Sequence, residues 1–371
     1  MSTVLVKPVG DHCNLACRYC FYHPGTGRCA TAMEKPVLEA MTRAFLAEES
    51  SPCLFAWQGG EPTLAGIDFY RLALDVQRRF AAPQQRVVNT LQTNGVLVDD
   101  EWAAFLAQNS FLVGLSLDGP AEYHDQMRRG ADGSPSHDLA AAAWRRLRRC
   151  ECAVNILCVV SRANCDHPSE VYSYLTGELG AQYLQFIPCV ERTPLGSVAD
   201  FSLQPGEYGR FLVALFDLWS AETQRAISVK LFDDIALFLA GKPMRDCMHR
   251  GACDSHLVVE RDGSVYPCDF FVGEQYRLGN MVQENPSQLR ATARATAFRS
   301  RKSRQLPEQC GACPHLDICR GGCCKFWTEA ADGTVQQYLC RDMRYFLDRR
   351  RPQMERIGAA LRARWHQDTP T

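Results

Sequence analysis

The chain has 371 residues, of which 46% are hydrophobic and 22% are charged, a composition typical of a folded globular protein and not of a disordered or fibrous one. Its 41 Lys and Arg residues nearly balance its 42 Asp and Glu residues, which leaves a formal net charge of -1. Because no overall basic charge attracts a polyanion, we expect neither nucleic acid nor a membrane surface as a partner.

Short apolar, β-branched segments alternate with longer amphipathic segments in the first half of the chain. This pattern is typical of repeated βα units around a parallel sheet. Strands are predicted at 4–8, 53–57, 86–92, 111–117, 154–160 and 183–187, and helices near 34–49, 67–80, 99–108, 137–150 and 168–178. Six units are too few for a closed eight-stranded barrel, so we expect an α/β fold built as an open, partial barrel.

The segments that follow these strands carry polar and metal-binding residue types. DHCNLACRYC follows the first strand, QGGEPTL the second, TNG the third and DGP the fourth. In parallel α/β folds the loops at the carboxyl ends of the strands bind ligands. The four segments are therefore expected at one rim.

The second half of the chain has a different character. Residues 206–240 are predicted to be helical and to act as a bridge, and closely spaced cysteines begin at Cys247. Arg261-Asp262-Gly263 separates two short apolar runs and predicts a β-hairpin. The expected division is a barrel over 1–225, a bridging helical segment over 226–246, a cysteine-rich domain over 247–345, and a C-terminal helix and tail over 346–371.

Cysteine is the outlying residue type, with 19 copies. The amino-terminal residues contain no apolar stretch of signal-peptide length, and no run is long enough to span a membrane. We therefore expect the chain in a reducing cytoplasm. There, dense and regularly spaced cysteines more often bind metals or clusters than form disulfides.

Three cysteines form a C-x3-C-x2-C motif in the loop after the first strand. They are Cys13, Cys17 and Cys20. Four cysteines would complete the ligation of a [4Fe-4S] cluster, so three leave one iron open to an exogenous ligand. An incomplete zinc site is the alternative interpretation.

A second group of eight cysteines lies in the cysteine-rich domain, enough for two fully ligated clusters. Its spacing is C-x5-C-x14-C followed by C-x2-C-x5-C-x3-C and one distal cysteine. The eight are Cys247, Cys253, Cys268, Cys310, Cys313, Cys319, Cys323 and Cys340. Zinc remains the structural alternative, because C-x2-C pairs also serve zinc ribbons.

The motifs CNLACRYCFY and GGEP resemble those of the radical S-adenosylmethionine superfamily, which implies a partial (β/α)6 barrel. The C-x2-C-x5-C-x3-C core resembles the SPASM domain. Together with FAWQGGEPTLAG, LQTNG, FLVGLSLDGP and VYPCDFF, these motifs resemble the anaerobic sulfatase-maturating enzymes over nearly the whole chain.

This resemblance implies three [4Fe-4S] clusters and S-adenosylmethionine as cofactors. One cluster would use the three amino-terminal cysteines. An auxiliary cluster nearer the active site would use Cys247, Cys253, Cys268 and Cys323, and an outer one Cys310, Cys313, Cys319 and Cys340. Cys324 directly follows Cys323, and the x3 spacing favours Cys323 as the ligand.

The resemblance also implies roles for individual residues. Asp269, directly after Cys268, would accept a proton from the substrate. Tyr22 and Gln58 would line the substrate cavity. The residues expected to contact S-adenosylmethionine are Tyr19, Gly59, Gly60, Glu61, Ser116, Arg128 and Val190. Arg129 is an equally basic neighbour of Arg128, so the assignment is open by one position.

The implied reaction is the oxidation of a cysteine or serine of a sulfatase to Cα-formylglycine, started by hydrogen abstraction by a 5'-deoxyadenosyl radical. The expected partners are a sulfatase polypeptide with a C/S-x-P/A-x-R motif and an electron donor such as flavodoxin or ferredoxin. The alternative enzyme is a SPASM maturase of a ribosomally made peptide. A peptide-recognition domain ahead of the first strand would favour that alternative, and we expect none. The alternative outside enzymes is a zinc-binding interaction protein.

Overall fold

A computed structural model describes residues 2–22, 31–222, 226–254, 256–329 and 333–367. The strands are β1 (Ser2–Val6), β2 (Cys53–Trp57), β3 (Val87–Thr93), β4 (Leu112–Ser116), β5 (Ala153–Val160), β6 (Tyr183–Pro188), β7 (Ser228–Val229), β8 (Leu257–Val259), β9 (Ser264–Tyr266), β10 (Gly279–Asn280), β11 (Trp327–Glu329) and β12 (Val335–Gln337).

The helices alternate with these strands in the first half of the chain and dominate the second half. They are α1 (Lys35–Glu48), α2 (Ile67–Phe80), α3 (Asp100–Gln108), α4 (Ala121–Met127), α5 (His137–Arg149), α6 (Pro168–Ser173), α7 (Glu207–Ala221), α8 (Lys230–Leu239), α9 (Pro286–Ala291), α10 (Ala293–Arg299), α11 (Arg301–Arg304), α12 (Leu316–Cys319) and α13 (Cys340–Gln367). Among the described residues, no helix is long and apolar enough to cross a membrane.

The chain divides into two compact units. The first comprises Met1–Leu117, Met127–Asn155 and Cys253–Ser300, and the second comprises Asp118–Gln126, Ile156–Ala252 and Arg301–Thr371. This division differs from the sequence prediction, which begins a second domain at 247. Residues 253–300 belong with the amino-terminal strands because β8 pairs in parallel with β1.

The first unit is built on strands in the order β10-β9-β8-β1-β2-β3-β4. The run from β8 to β4 is parallel. The predicted hairpin is present, since β8 and β9 pair antiparallel across the turn that contains Gly263. That glycine has φ +84°, a conformation that side chains with a Cβ rarely adopt. Because β8, β1 and β2 run parallel, their carboxyl ends lie at the same edge of the sheet.

The core of the first unit combines aromatic packing with one closed polar network. The ring of Trp57, 1% exposed, stacks on Phe55 at 5.9 Å and meets Tyr70 edge-on at 5.6 Å. The Trp57 Nε1–H donates to Asn89 Oδ1 at 2.8 Å, and Asn89 exchanges hydrogen bonds with Gln77. Because these buried polar groups are paired, they hold β2 and β3 against α2 without an unsatisfied donor.

The second unit contains β5 from Ile156 onward, the strands β6 and β7, which continue the parallel pairing, and three long helices. The rings of Phe216 on α7, Phe232 on α8 and Phe346 on α13 lie 5.3 to 6.0 Å apart. The buried carboxylate of Asp342 accepts the N–H groups of Gly206 and Gly209 at 3.0 and 2.8 Å. These hydrogen bonds satisfy N–H donors at the start of α7 that have no acceptor within the helix.

The predicted helix over 206–240 is wrong in its middle part. Helix α7 ends at Ala221 and α8 begins at Lys230. The short strand β7 lies between them and pairs with β6, Ser228 opposite Tyr183 and Val229 opposite Leu184. A β-branched residue at a sheet edge favours the extended conformation there over a continued helix.

Candidate active site

The loop after β1 brings its three cysteines together. Burial is the main cause that raises the pKa of the Cys13 thiol to about 12, and the nearby thiols of Cys17 and Cys20 add to the rise. Backbone N–H groups of this loop donate to the carbonyls of Met127 and Arg129 at 2.9 and 2.7 Å. Three facing thiols on a tethered loop fit a cluster, whose binding deprotonates such groups.

The glycine turn after β2 is tied to the cysteine loop. The N–H of Gly60 donates to the carbonyl of Gly10 at 2.8 Å, and the N–H of Glu61 donates to that of His12 at 2.8 Å. A Cβ on Gly60 would lie 2.0 Å from the His12 carbonyl oxygen, and one on Gly59, at φ +130°, would lie 2.7 Å from that of Gly10. Only glycine allows this approach of two backbones.

The Glu61 carboxylate holds the turn from the other side. It is 1% exposed and accepts hydrogen bonds from Thr63 N–H and Oγ1, Thr93 Oγ1 and Asn94 N–H at 2.6 to 3.0 Å. Burial raises the pKa of Glu61, and these donors oppose the rise. The carboxylate therefore joins the ends of β2 and β3, and the cofactor contact expected of Glu61 stays a prediction.

Arg128 and Arg129 have different environments. Arg128 is 8% exposed, and its guanidinium carbon lies 5.2 Å from the centre of the Tyr19 ring, inside the cysteine motif. Arg129 is exposed and donates to the Gly133 carbonyl at 2.9 Å. The Arg128 cation is thus held beside the cysteine loop, and the cofactor contact assigned to it stays a prediction.

Ser116 ends β4 and is 7% exposed. Its hydroxyl accepts a hydrogen bond from Gln92 Nε2 at 3.2 Å. Val190 lies in the second unit, just after β6, and is 6% exposed. The cofactor contacts assigned to these two residues stay predictions.

The Asp269 carboxylate is held by two side chains. One oxygen, Oδ1, lies 2.5 Å from the Nζ of Lys7, and the other, Oδ2, accepts a hydrogen bond from Gln58 Nε2 at 3.0 Å. Lys7 directly follows β1 and Gln58 directly follows β2. Both predicted residues, Asp269 and Gln58, therefore meet at the sheet edge where the cysteine loop begins.

Tyr22 extends this group toward the hairpin turn. Its hydroxyl donates to Glu260 Oε1 at 2.5 Å, and the Lys7 ammonium lies 3.2 Å from the centre of its ring. Burial, followed by the charge of Glu260, raises the pKa of Tyr22 far above its ordinary value, so the phenol stays a donor. Burial also raises the pKa of Glu260, while the Lys7 cation opposes that rise.

A cavity of about 450 Å³ opens over these groups. Asp269 and Tyr22 line it together with the aromatic pair Phe21 and Phe270, whose ring centres are 4.6 Å apart. The remaining lining residues are Asp11, Glu260, Arg261, Asp262, Tyr266, Val272 and Gly273. The cavity therefore joins the cysteine loop, the carboxylate of Asp269 and an acidic rim.

Lys7 and Glu260 are the site residues that the sequence analysis missed. A lysine is seldom fully buried unless it is paired, and the side chain of Lys7 is only 1% exposed. The signal was the position of Lys7, near the end of the predicted first strand and six residues before Cys13. Glu260 stands in the equivalent place after β8, but its pairing with Tyr22 spans 238 positions of the sequence.

The predicted ligands of the outer cluster lie together in the second unit. Burial raises the pKa of Cys319 to about 12, and the nearby thiols of Cys310, Cys340 and Cys313 add to the rise. Among the described residues, no three potential ligands converge on a point that would hold a single metal ion. The ligands of a four-iron cluster lie farther apart than those of a single ion, because each thiolate binds a different iron.

The predicted ligands of the other auxiliary cluster are divided between the two units. Cys253 and Cys268 belong to the first unit, and Cys247 and Cys323 belong to the second, so this set stays a prediction. Cys323 is partly exposed and Cys324 is buried. The Cys323 sulfur accepts the N–H of Lys325 at 3.5 Å.

Comparison with known families supports this interpretation of the two cysteine groups. Residues 8–159 match the radical SAM superfamily. Residues 247–314 match the iron-sulfur cluster-binding domain called SPASM. The first match contains the C-x3-C-x2-C motif, and the second begins at Cys247.

Similar proteins are found over nearly the full length. A cysteine-type anaerobic sulfatase-maturating enzyme of Clostridium perfringens is 36% identical over 367 residues, covering 96% of this chain and 98% of that protein. A serine-type enzyme of Bacteroides thetaiotaomicron is 32% identical, and the match covers 95% of this chain and 90% of that protein. A solved structure described as native anSMEcpe with bound AdoMet and Cp18Cys peptide superimposes with a TM-score of 0.89, at 36% identity, over 97% of this chain and 99% of that one.

Proposed function

Because the chain belongs to the anaerobic sulfatase-maturating enzymes of the radical S-adenosylmethionine superfamily, we propose that it oxidises a cysteine or serine of a sulfatase polypeptide to Cα-formylglycine. The observation that carries the proposal is the arrangement in the first unit. There, a loop with three facing thiols borders a cavity whose wall contains a carboxylate fixed by Lys7 and Gln58.

S-adenosylmethionine, when bound beside the three-cysteine cluster, supplies the 5'-deoxyadenosyl radical that removes one β-hydrogen from the target side chain. The Gly59-Gly60 turn presents backbone to the cofactor without a side chain. Arg128, buried against Tyr19, offers a guanidinium that suits a carboxylate. The fixed turn and the buried arginine orient the cofactor, since neither can move without breaking contacts with the cysteine loop.

Asp269 takes the proton that the substrate must lose. Removal of a hydrogen atom, a proton and one electron from a cysteine side chain leaves a thioaldehyde, which water hydrolyses to the aldehyde and hydrogen sulfide. A serine gives the aldehyde directly. The proton goes to the carboxylate, and the electron goes to an iron-sulfur centre. Lys7 and Gln58 hold Asp269 in the cavity wall, where Tyr22 and the aromatic pair line the same cavity.

The proposal includes the two auxiliary [4Fe-4S] clusters of the SPASM region, with the inner and outer ligand sets given above. It also includes the division of the sequence into a barrel, a bridge, a cluster domain and a C-terminal helix, with residues 253–300 of the cluster domain packed in the amino-terminal unit. An electron donor such as flavodoxin or ferredoxin would start the reaction. Because low-potential clusters with an open iron react with oxygen, we place this chemistry in the reducing cytoplasm.

The test is a turnover assay without air. The reduced protein is incubated with S-adenosylmethionine and with two peptides of identical sequence that carry either cysteine or serine in a C/S-x-P-x-R context. Aldehyde in at least one peptide, found by mass spectrometry together with 5'-deoxyadenosine, supports the proposal. The comparison of the two peptides also tells whether the protein is of the cysteine or the serine type.

A SPASM maturase of another peptide would give a different result in the same assay. It would cleave S-adenosylmethionine but leave both peptides without aldehyde. That outcome, with full cluster content, would contradict the proposed substrate and leave the radical chemistry in place.

A further inference from the structure

A second cavity lies in the second unit, at the start of α13. Its volume is about 520 Å³, and its lining includes Cys340, the first residue of the helix, together with Tyr338 and Tyr345. Three arginines line it as well: Arg341, Arg344 and Arg349. A cysteine predicted to bind the outer cluster is thus part of an open, basic surface.

Three cations and one carboxylate, Asp348, line this surface. Arg341, Arg344 and Arg349 are exposed, and in the part of the chain that the structure describes none of them forms an ion pair within 4.0 Å. Arg349 lies over the ring of Tyr345 at 3.6 Å. The lining carboxylate, Asp348, is engaged with His315 Nε2 at 2.7 Å.

The position of one of these cations works against helix stability. Arg341 lies in the first turn of α13, at the positive end of the helix dipole, where a cation is unfavourable. The acidic residue of that turn, Asp342, is fully buried and its Oδ1 caps the start of α7. Because Arg341 does not stabilise the helix end, a role in recognition accounts better for its presence.

We propose that this surface, formed by Arg341, Arg344, Tyr345 and Arg349, docks a small acidic protein that carries a one-electron flavin or iron-sulfur group. The inference rests on the proposed function, because it takes Cys340 as a ligand of the outer cluster. In the docked complex one electron leaves the outer cluster, which is oxidised, and enters the oxidised carrier, which is reduced. This is the electron that oxidation of the substrate releases.

Charge and placement together select this partner. The chain has a net charge of -1, so the basic patch is local and favours an acidic surface of similar size. In another arginine-rich segment, on α5, two of the arginines, Arg146 and Arg149, already face Asp100 at 3.8 and 2.5 Å.

The test measures binding of oxidised flavodoxin to the cluster-loaded protein by calorimetry, without turnover. The charge-reversal variant Arg341→Glu/Arg344→Glu should bind at least about tenfold more weakly, since like charges then face each other. Wild-type binding should weaken as salt is raised. The matched control is Arg145→Glu/Arg148→Glu, two exposed arginines on α5, which should bind like the wild type.

The rate at which photoreduced flavodoxin reduces the oxidised clusters is followed in the same proteins and should fall in parallel with affinity. Equal binding by the wild type and the α13 variant would overturn the inference, as would equal weakening by both variants. A change of the outer-cluster potential with unchanged flavodoxin binding would also overturn it. Formylglycine formation by the wild type with a chemical reductant, measured separately, reports on the proposed function alone.

Discussion

Proton removal from the substrate depends, at the scale of single residues, on the Asp269 carboxylate. Asp269→Asn keeps the shape of the side chain and the hydrogen-bonding capacity toward Gln58 but removes the basicity. Because a positioned base contributes about 10² to 10⁴ in rate, we expect formylglycine formation to fall at least about 100-fold. The measurement is aldehyde yield per minute by mass spectrometry at equal iron content.

Asp262→Asn is the matched control for that change. Asp262 lines the same cavity but is exposed, and its carboxylate accepts hydrogen bonds from Ser264. We expect nearly normal turnover from it. Equal loss in both variants, or unchanged turnover in Asp269→Asn, would show that Asp269 is not the proton acceptor.

Lys7→Met tests whether the buried lysine positions that carboxylate. Methionine keeps most of the stem volume but removes the cation 2.5 Å from Asp269. We expect hydrogen abstraction to continue while proton loss fails, so the ratio of aldehyde to 5'-deoxyadenosine should fall by about tenfold or more. The measurement is the yield of both products from one reaction. A structural defect would lower both yields together.

Lys35→Met is the control for Lys7→Met. Lys35 begins α1, and its side chain is 62% exposed, so the same substitution should leave the product ratio unchanged. A product ratio equal to that of the wild type in Lys7→Met would mean that Gln58 alone positions Asp269.

Individual site residues were predictable to different degrees. Asp269 and Gln58 stand beside motif residues, so their types and positions pointed to the site, and the structure brings them together. Lys7 was missed because burial of a lysine depends on a carboxylate 262 positions away. The contact of Arg128 with Tyr19 could not be predicted, because no spacing rule provides it, and the choice between Arg128 and Arg129 stays a prediction.

The turn after β2 is the element that joins the cysteine loop to the rest of the sheet. Gly60→Ala would place a Cβ 2.0 Å from the His12 carbonyl oxygen, so one of two backbones must move. We expect S-adenosylmethionine affinity to fall by about tenfold or more and stability to fall by about 1–3 kcal/mol. Equilibrium dialysis and thermal unfolding measure the two effects.

Gly177→Ala is the matched control, because a Cβ at Gly177 meets no atom within 4 Å. It should change neither affinity nor stability by a comparable amount. Normal S-adenosylmethionine binding by Gly60→Ala would show that the close approach of the two backbones is not required for the cofactor site.

Strands were easier to predict than connections. The six predicted strands agree with the structure to within about two residues, since apolar runs bounded by turn residues reflect burial directly. The segment 206–240 failed because β7 exists only through its pairing with β6. The hairpin was found, but its parallel pairing with β1 is a long-range contact with no local signal.

The whole molecule is expected to hold three [4Fe-4S] clusters, or about twelve irons per chain. Cys313→Ala removes one ligand of the outer set and should lower the content to about eight. Cys165→Ala, at a buried thiol outside both motifs, should keep about twelve. Iron and zinc are measured on protein purified without air. Stoichiometric zinc without iron would favour the interaction-protein alternative.

The account as a whole requires that a radical formed beside Cys13, Cys17 and Cys20 reaches the substrate side chain. The direct measurement uses a C-x-P-x-R peptide whose cysteine carries two deuterium atoms at Cβ, incubated with reduced protein and S-adenosylmethionine without air. We predict 5'-deoxyadenosine that contains one deuterium, together with a peptide aldehyde that retains the other. Unlabelled 5'-deoxyadenosine beside an unchanged peptide, or no 5'-deoxyadenosine at all, would contradict it.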